Sequence, residues 1–544
     1  MIRTGSGEVG ELGSHAAGAS VARRGSATRP SFAVVYHRAP TDADPLIGAP
    51  AALHSPNGII PTLRGIFGPE RAGVWVAWTR VDDAGDLRNR NAAPAYSSDP
   101  AISVHSVPLS ASDIETFYHR FSKEALWPVI CSSPDNVRFE ESHWDAFAEV
   151  NRRFAEAVAE LVTPDATIWV HDYNLWLVPG VLRELMPAAR IGFFHHTPFP
   201  AADVFAILPW RAEILRSLLA CDLVGFHVPH YANNFAATAA NLVGARVSCE
   251  VEVSSRYLTV GTPLSTSRTA AELEFGARRI ALNAYPVGID SARIDDLRAT
   301  PGHARRVEAI CRALPGQQVV LSIDRLDYVK GSVQKLGAYE RLLQRHPEYR
   351  GVIAFVCIVA PAVDAISVHR SVRAEIDALV GRINGRFSTL AWTPVRYFYQ
   401  PLSFARVVSW YEASSIAWIA PLRDGLNLVA KEFVAASGDD AKVLLLSEFA
   451  GAHVELKHAV TVNPYSPRSM DLGLQTALDM PAAARRRRMR NMRRVVRSST
   501  ADQWATEFLA ELVSDRPATL GAGVTRTAAA TPSIAPHRAP AGSS

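Results

Sequence analysis

Two cations, Arg325 and Lys330, follow the apolar run Val319–Ile323 on the way into a helical pattern. Ligands in parallel α/β sheets sit at the carboxyl ends of the strands, and the first turn of a following helix adds positive potential. Two positive charges there, with Gly331 letting the backbone come close, suit a diphosphate. A pair of solvated surface charges fits the same residues. A second stretch, Ala420-Pro-Leu-Arg-Asp-Gly-Leu-Asn-Leu-Val-Ala-Lys-Glu-Phe433, also leaves a strand and opens a helix at Asp424-Gly425. Amides at Leu426, Asn427 and Leu428 can bond ligand oxygens there. Glu432, two turns further on, can accept from a pair of ribose hydroxyls or be a plain surface carboxylate.

In the N-terminal half, Trp169-Val-His-Asp-Tyr173 and Ile191-Gly-Phe-Phe-His-His-Thr-Pro-Phe-Pro200 place polar groups at strand ends. Asp172 fits an acid–base group or a hydroxyl anchor. His195 and His196 lack a carboxylate or cysteine at ligand spacing, and adjacent strand residues point apart, so no metal site is expected. Asn57-Gly58 is either a backbone loop approaching a phosphate or a simple turn. Tyr118 and Trp127 flank an apolar helix and fit a binding wall or a core equally.

Elements able to position these groups are legible around them. Short apolar runs alternate with helical patterns, the signature of a parallel α/β fold. The runs are Phe32–Tyr36, Val74–Trp78, Ile168–His171, Ile191–Phe194, Leu223–Phe226, Val319–Ile323, Val352–Val359, Ile416–Ile419 and Val443–Leu446. Those that are apolar over their whole length predict central strands covered by helices on both faces. Helices are predicted over Ser332–His346, Leu402–Ala413 and Leu426–Ser437. A boundary near Pro286–Asp290 gives an N-terminal domain over 31–286 and a C-terminal domain over 287–515, the last helix crossing back to the first. The tails, 1–30 and 516–544, read as disordered.

Composition excludes several classes. Of 544 residues 48% are hydrophobic, enough for sizeable cores, and 57 basic against 53 acidic residues leave a net charge of only +4. That balance does not describe a nucleic-acid-binding surface. Eight arginines fall within Arg485–Arg497, interleaved with Met489, Met492, Val495 and Val496, and the expected structure is an amphipathic helix with a solvated basic face. Five scattered cysteines form no CxxC pair, fitting free thiols in a reducing cytoplasm. The N-terminal residues lack an apolar stretch, so no signal peptide is expected, and no run approaches the ~20 residues of a membrane span. Small-molecule substrates are expected, without nucleic acid or membrane partners; a homo-oligomer is left open.

Taken in order, HDYNLWLVP (171–179), FFHHTPFP (193–200), LPWR (208–211), GFH (225–227), RLDYVKG (325–331) and LRDGLNLVAKE (422–432) resemble the trehalose-phosphate synthase family of retaining glycosyltransferases. The resemblance spans about residues 32 to 513. Within the family, SPNGIIPTL (55–63) and FYHRFSKEALWPVI (117–130) are most similar to the branch that makes glucosylglycerol phosphate, a compatible solute.

This resemblance implies a GT-B fold, two Rossmann-like doubly wound domains facing a cleft. It implies donor binding by Arg325 and Lys330 on the diphosphate, amides of Leu426, Asn427 and Leu428, Glu432 on the ribose, and Asp424 and His196 on glucose hydroxyls. Gly58 approaches from the opposite domain, while Asp172, Tyr118, Trp127 and Arg38 face the acceptor. No cofactor is implied, and two cations with a helix dipole can stabilise a leaving diphosphate without a metal. The expected reaction moves glucose from ADP-glucose to sn-glycerol 3-phosphate with retention. The alternatives are trehalose-phosphate synthesis on glucose 6-phosphate and a catalytically silent regulatory relative. Removing Lys330 or Arg325 is expected to abolish transfer with the fold intact.

The acceptor expectation rests on a departure from the family. Its trehalose-forming members carry an arginine for the acceptor phosphate in an Ala-Pro-x-Ser-Arg-like segment. Here Val359-Ala-Pro-Ala-Val-Asp364 puts Val363 or Asp364 at that place. Losing a charged partner weakens binding by roughly ten- to a hundredfold. Arg38 and Lys123 are the cations expected to hold a smaller phosphorylated acceptor instead.

Overall fold

Runs of β-branched and aromatic residues, too apolar to face water on either side, form the centres of two sheets. The computed structural model describes residues 29–40, 58–81, 100–362, 366–437 and 441–514. Asn57, Val363, Asp364 and nearly all of both tails lie outside the described residues.

The first sheet has nine strands: β1 (Phe32–Val35), β2 (Gly73–Arg80), β3 (Ile102–Leu109), β4 (Thr167–His171), β5 (Arg190–His195), β6 (Leu223–Phe226), β7 (Arg246–Glu252), β8 (Arg268–Phe275) and β9 (Arg278–Ala284). Their order is β3-β2-β1-β4-β5-β6-β9-β8-β7. All pairs are parallel as far as β9, after which β9-β8-β7 is an antiparallel meander. The second sheet is parallel, with β10 (Gln318–Arg325), β11 (Ile353–Ala360), β12 (Val395–Tyr399), β13 (Ile416–Ile419), β14 (Val443–Ser447) and β15 (Val460–Val462) in the order β12-β11-β10-β13-β14-β15.

All nine predicted runs are strands. The meander, β3, β12 and β15 fall outside those runs, and for the meander the reason is physical. Half-covered strands such as RTAAELEF (268–275) carry charge on one face, so they lack the continuous apolar signal of a central strand.

Each sheet has a switch point where successive connections leave in opposite directions. In the first it lies between β1 and β4, in the second between β10 and β13. Crevices open at such points beyond the strand carboxyl ends. Tyr36–Arg38 and His171–Asp172 therefore leave one switch point, and Arg325–Lys330 and Ala420–Asp424 the other. The two crevices face each other. Gly425 marks the contact: a Cβ there would stand 2.3 Å from the carbonyl oxygen of His196 on the opposite half.

The chain crosses to the second sheet through Tyr285–Asp290 and returns with helix Ala501–Val513. That helix buries Trp504, Phe508, Leu509 and Leu512 against β1, β4 and β5. Phe508 stacks on Trp169 at 4.4 Å between ring centroids, and Asn283 donates to Glu511 at 2.8 Å. At roughly 1.5–3 kcal/mol per fully buried large apolar side chain, this return is a substantial clasp between the halves. Helix Ala482–Arg497 turns Met489, Met492 and Val496 inward, and Arg486, Arg487, Arg490 and Arg494 are exposed, as the amphipathic reading expects.

Candidate active site

The cleft between the two switch points encloses about 560 Å³. Nine residues singled out from the sequence line it together: Gly58, His196, Arg325, Lys330, Asp424, Leu426, Asn427, Leu428 and Glu432. They come from segments hundreds of residues apart, and the two facing crevices bring them into one space.

Lys330 and Asp424 are the electrostatic centre. Gly331 turns the chain after Lys330 with φ +67°, and a Cβ would meet the Ala420 carbonyl oxygen at 2.1 Å, so only glycine fits. This turn aims Lys330 Nζ at Asp424, to which it donates at 2.6 Å. Burial works against both charges, yet each outweighs that for the other: the Asp424 carboxyl sits below its usual range and the Lys330 ammonium above. Asn427, itself at φ +79°, donates to Asp424 at 3.1 Å while its side-chain oxygen caps helix Leu428–Ala436 at Ala430 N. The Leu426 amide also turns onto the Asp424 carboxylate. Lys330 and the Leu426 amide are thus both engaged by Asp424, the residue expected to hold the sugar.

Arg325 is different. Its side chain is 54% exposed, and Asp327 stands 3.8 Å away. Glu432 is buried, not a surface carboxylate, and accepts from Tyr411 Oη at 3.0 Å. Ile323, Ile358, Leu402, Phe404 and Val407 form an apolar end beside it, with Gln400 as its neutral polar group. A flat base packs against such a wall.

His196 belongs to a buried cluster. Its Nε2 is 3.2 Å from Nδ1 of His171, and its ring contacts His227 at 5.5 Å. Burial holds His196 and His171 well below the ordinary imidazole range and His227 at about 3. These rings are neutral hydrogen-bonding groups at pH 7. Among the described residues no group of three His, Cys, Asp or Glu is placed to hold a metal ion.

Arg38, Tyr118, Lys123, Trp127 and Asp172 gather beside the cleft, on the side of the first sheet. The segment Ile114–Leu126 is wound as a π-helix, with Ser122 Oγ donating five residues back to the Phe117 carbonyl oxygen at 2.9 Å. Winding by i→i+5 bonds brings residues five apart onto one face, and such turns concentrate at functional sites. Lys123 thus meets Tyr118, its Nζ 5.3 Å from that ring, 5.1 Å from Trp127 and 5.5 Å from Tyr173. It also donates to Tyr173 Oη at 2.8 Å. Trp127 Nε1 lies 3.4 Å from Asp327, linking this group to the Arg325 loop. Asp172 takes φ +69°, and burial raises its carboxyl to about 6, partly offset by the amide of Tyr173 and by Lys123. Arg38 sits at the end of β1, its carbonyl oxygen accepting from Trp75 Nε1 at 2.9 Å.

Sequence reasoning overlooked Tyr173, His227, Asp327 and Tyr411. Tyr173, His227 and Asp327 lie inside the motifs HDYNLWLVP, GFH and RLDYVKG, so position within a family motif was their available signal. Tyr411 had none, being one aromatic residue in an apolar helix.

The profile of glycosyltransferase family 20 matches residues 32–514. The chain belongs to this family. It is 42% identical to the glucosylglycerol-phosphate synthase of Synechocystis over 487 residues, 89% of this chain and 98% of that protein. It is 37% identical to the trehalose-6-phosphate synthase of Mycobacterium ulcerans over 89% of this chain and 94% of that protein. Among solved structures, the trehalose-phosphate synthase (UDP-forming) of Burkholderia xenovorans in complex with glucose-6-phosphate superposes with a TM-score of 0.76 at 28% identity, covering 88% of this chain and 99% of that chain. The fold is thus GT-B and the chain a hexosyltransferase, a glucosyltransferase of family 20. Among the described residues no helix is long and apolar enough to cross a membrane.

Proposed function

We propose that this protein transfers glucose from ADP-glucose to sn-glycerol 3-phosphate with retention, giving glucosylglycerol phosphate in the cytoplasm. The observation that carries the reading is the junction of two charged sites. One is the cleft of Arg325, Lys330, Asp424 and Glu432; the other, beside it, is the Lys123 ammonium held among three aromatic rings.

In this reading Glu432 takes the ribose hydroxyls, Arg325 and Lys330 the diphosphate, and Asp424 with neutral His196 the glucose. As the glycosidic bond breaks, negative charge grows on the diphosphate oxygens. Lys330, already fixed by Asp424, meets that charge without reorganising, which is where electrostatic preorganisation acts most strongly. The helix start at Asn427–Leu428 adds its dipole. No metal is needed for this stabilisation, since two cations supply it. The acceptor phosphate falls to Arg38 and Lys123, and Asp172 anchors an acceptor or glucose hydroxyl. The acceptor hydroxyl attacks from the face the diphosphate leaves, its proton passing to a departing phosphate oxygen.

Greater identity to glucosylglycerol-phosphate synthase than to trehalose-6-phosphate synthase, 42% against 37%, supports the choice of acceptor. So does the sequence at Val363 and Asp364, where no basic residue stands. The test is to incubate purified protein with ADP-, UDP- or GDP-glucose and with glycerol 3-phosphate or glucose 6-phosphate, separating products by mass. A product of glucose plus glycerol 3-phosphate, formed best from ADP-glucose, is expected. A dominant disaccharide phosphate returns the trehalose reading, and no product from any pair favours a silent relative.

A further inference from the structure

A second cavity, of about 290 Å³, lies outside the cleft, between helix Pro301–Ala313, β12 and helix Phe404–Ala413. Its volume is at the lower end of small-molecule sites. Ile310, Phe398 and Trp410 give it an apolar floor, and Arg306, Arg396 and Arg406 line it as well. No carboxylate lines it. Arg306 Nε donates to a neutral group, Ser409 Oγ, at 3.1 Å. Arg396 Nε is buried with no hydrogen-bond partner among the described residues. Glu412, on the same helix as Arg406, is already taken by Arg298 and His303 at 2.8 and 2.9 Å.

A cavity lined by Arg341, Arg345, Arg468 and Asp471 shows what a satisfied arrangement looks like. There Arg341 and Arg345 both close on Asp471, at 2.7 and 2.9 Å, and their charge is answered within the protein. Around Arg396 it is not. Three guanidinium groups with a planar donor face and no internal acid fit a phosphate, which arginine binds bidentately. Phe398 and Trp410, with ring centroids 6.2 Å apart, offer a surface for a ring attached to it.

We propose that this cavity binds a phosphate monoester carrying a ring or apolar body, and that its occupancy tightens donor binding in the cleft. The link is helix Phe404–Ala413. Phe404, Val407 and Tyr411 on one face line the cleft, while Arg406, Ser409 and Trp410 on the other line the cavity. An anion there relieves the repulsion of three like charges and fixes the helix whose Tyr411 holds Glu432. The coupling rests on the donor reading given above; the site itself does not.

Phenyl phosphate is titrated onto the full chain by calorimetry, first with the cleft open and then with it saturated by ADP. One site is expected to persist with ADP present and to tighten several-fold. By reciprocity the probe tightens ADP by the same factor. Inorganic phosphate binds more weakly and phenol not at all. Arg406 is exposed, where substitutions cost little stability, so Arg406→Gln is expected to weaken the probe about tenfold, as loss of one charged partner does, with ADP binding in the absence of probe unchanged. Arg396→Gln combined with it removes binding. Displacement of the probe by ADP, unchanged affinity in Arg406→Gln, or no saturable binding at millimolar probe overturns the site. A site that persists without tightening overturns the coupling alone. If ADP itself fails to bind while the probe does, the donor reading falls and the cavity stands.

Discussion

Replacing Lys330 by alanine separates the two roles its geometry gives it. Its side chain is 20% exposed and that of Asp424 14%, and the bond between them is 2.6 Å. Truncation leaves Asp424 buried with only Asn427 Nδ2 and the Leu426 amide to answer its charge. Breaking a fully buried pair costs about 3–5 kcal/mol and an exposed one about 0–1, so a largely buried pair should lose roughly 2–3 kcal/mol. This corrects the expectation that the fold is untouched, which treated Lys330 as a surface cation. Arg325→Ala, with a half-exposed side chain, should stay within about 0.5 kcal/mol of the parent. Both variants should lose roughly 10²–10³-fold in kcat/KM if each group stabilises the leaving diphosphate like one preorganised donor. The double change Lys330→Ala, Asp424→Ala should recover part of the stability but none of the activity. Urea unfolding and steady-state transfer rates measure the two axes separately. A Lys330→Ala chain with parental stability and most of its activity would refute both the pair and the diphosphate role.

Four further outcomes follow from the same geometry. Tyr411→Phe takes a donor from Glu432 in a buried place, so donor KM should rise roughly tenfold or more with kcat little changed; an unchanged KM separates Tyr411 from ribose binding. The Asp172 carboxyl titrates near 6 when folded and near the ordinary carboxylate value when unfolded, so between about pH 4 and 6 the folded state holds the extra proton. Stability should therefore fall across that window by ~3 kcal/mol and then level, and Asp172→Asn should abolish this component in unfolding curves taken at each pH. Gly425→Ala drives a methyl into the His196 carbonyl, 2.3 Å from an ideal Cβ, and should impair transfer by spreading the halves, seen as a larger radius in small-angle scattering. Excess chelator should leave turnover unchanged; loss with chelator and recovery with Mg²⁺ would show that the two cations do not suffice.

The central strands and the donor loops were legible because their signals are local. β13 is apolar throughout and β10 has the apolar centre Val319–Leu321, and RLDYVKG and LRDGLNLVAKE lie at the carboxyl ends of these two strands. The rest depended on what the fold brings together. Nothing near Lys330 says that its partner is Asp424, 94 positions on, or that Glu432 is covered by Tyr411 from a neighbouring helix. The π-winding of Ile114–Leu126 is likewise invisible in a pattern that reads as a common amphipathic helix, yet it brings Lys123 onto Tyr118. Charged alternation hid the meander β7–β9, which lies away from the cleft. The arginine-rich segment shows the converse: a conspicuous composition becomes a solvated helix face once Met489, Met492 and Val496 are seen inside.

The choice of acceptor is decided most directly by competition. Purified protein is given one nucleotide-glucose with equal concentrations of glycerol 3-phosphate and glucose 6-phosphate, and the early ratio of the two products reads the ratio of kcat/KM values. The arrangement of Lys123 and Arg38 beside the cleft predicts a large excess of glucosylglycerol phosphate, sharply reduced in Arg38→Ala. Equal products, or an excess of the disaccharide phosphate, would contradict it.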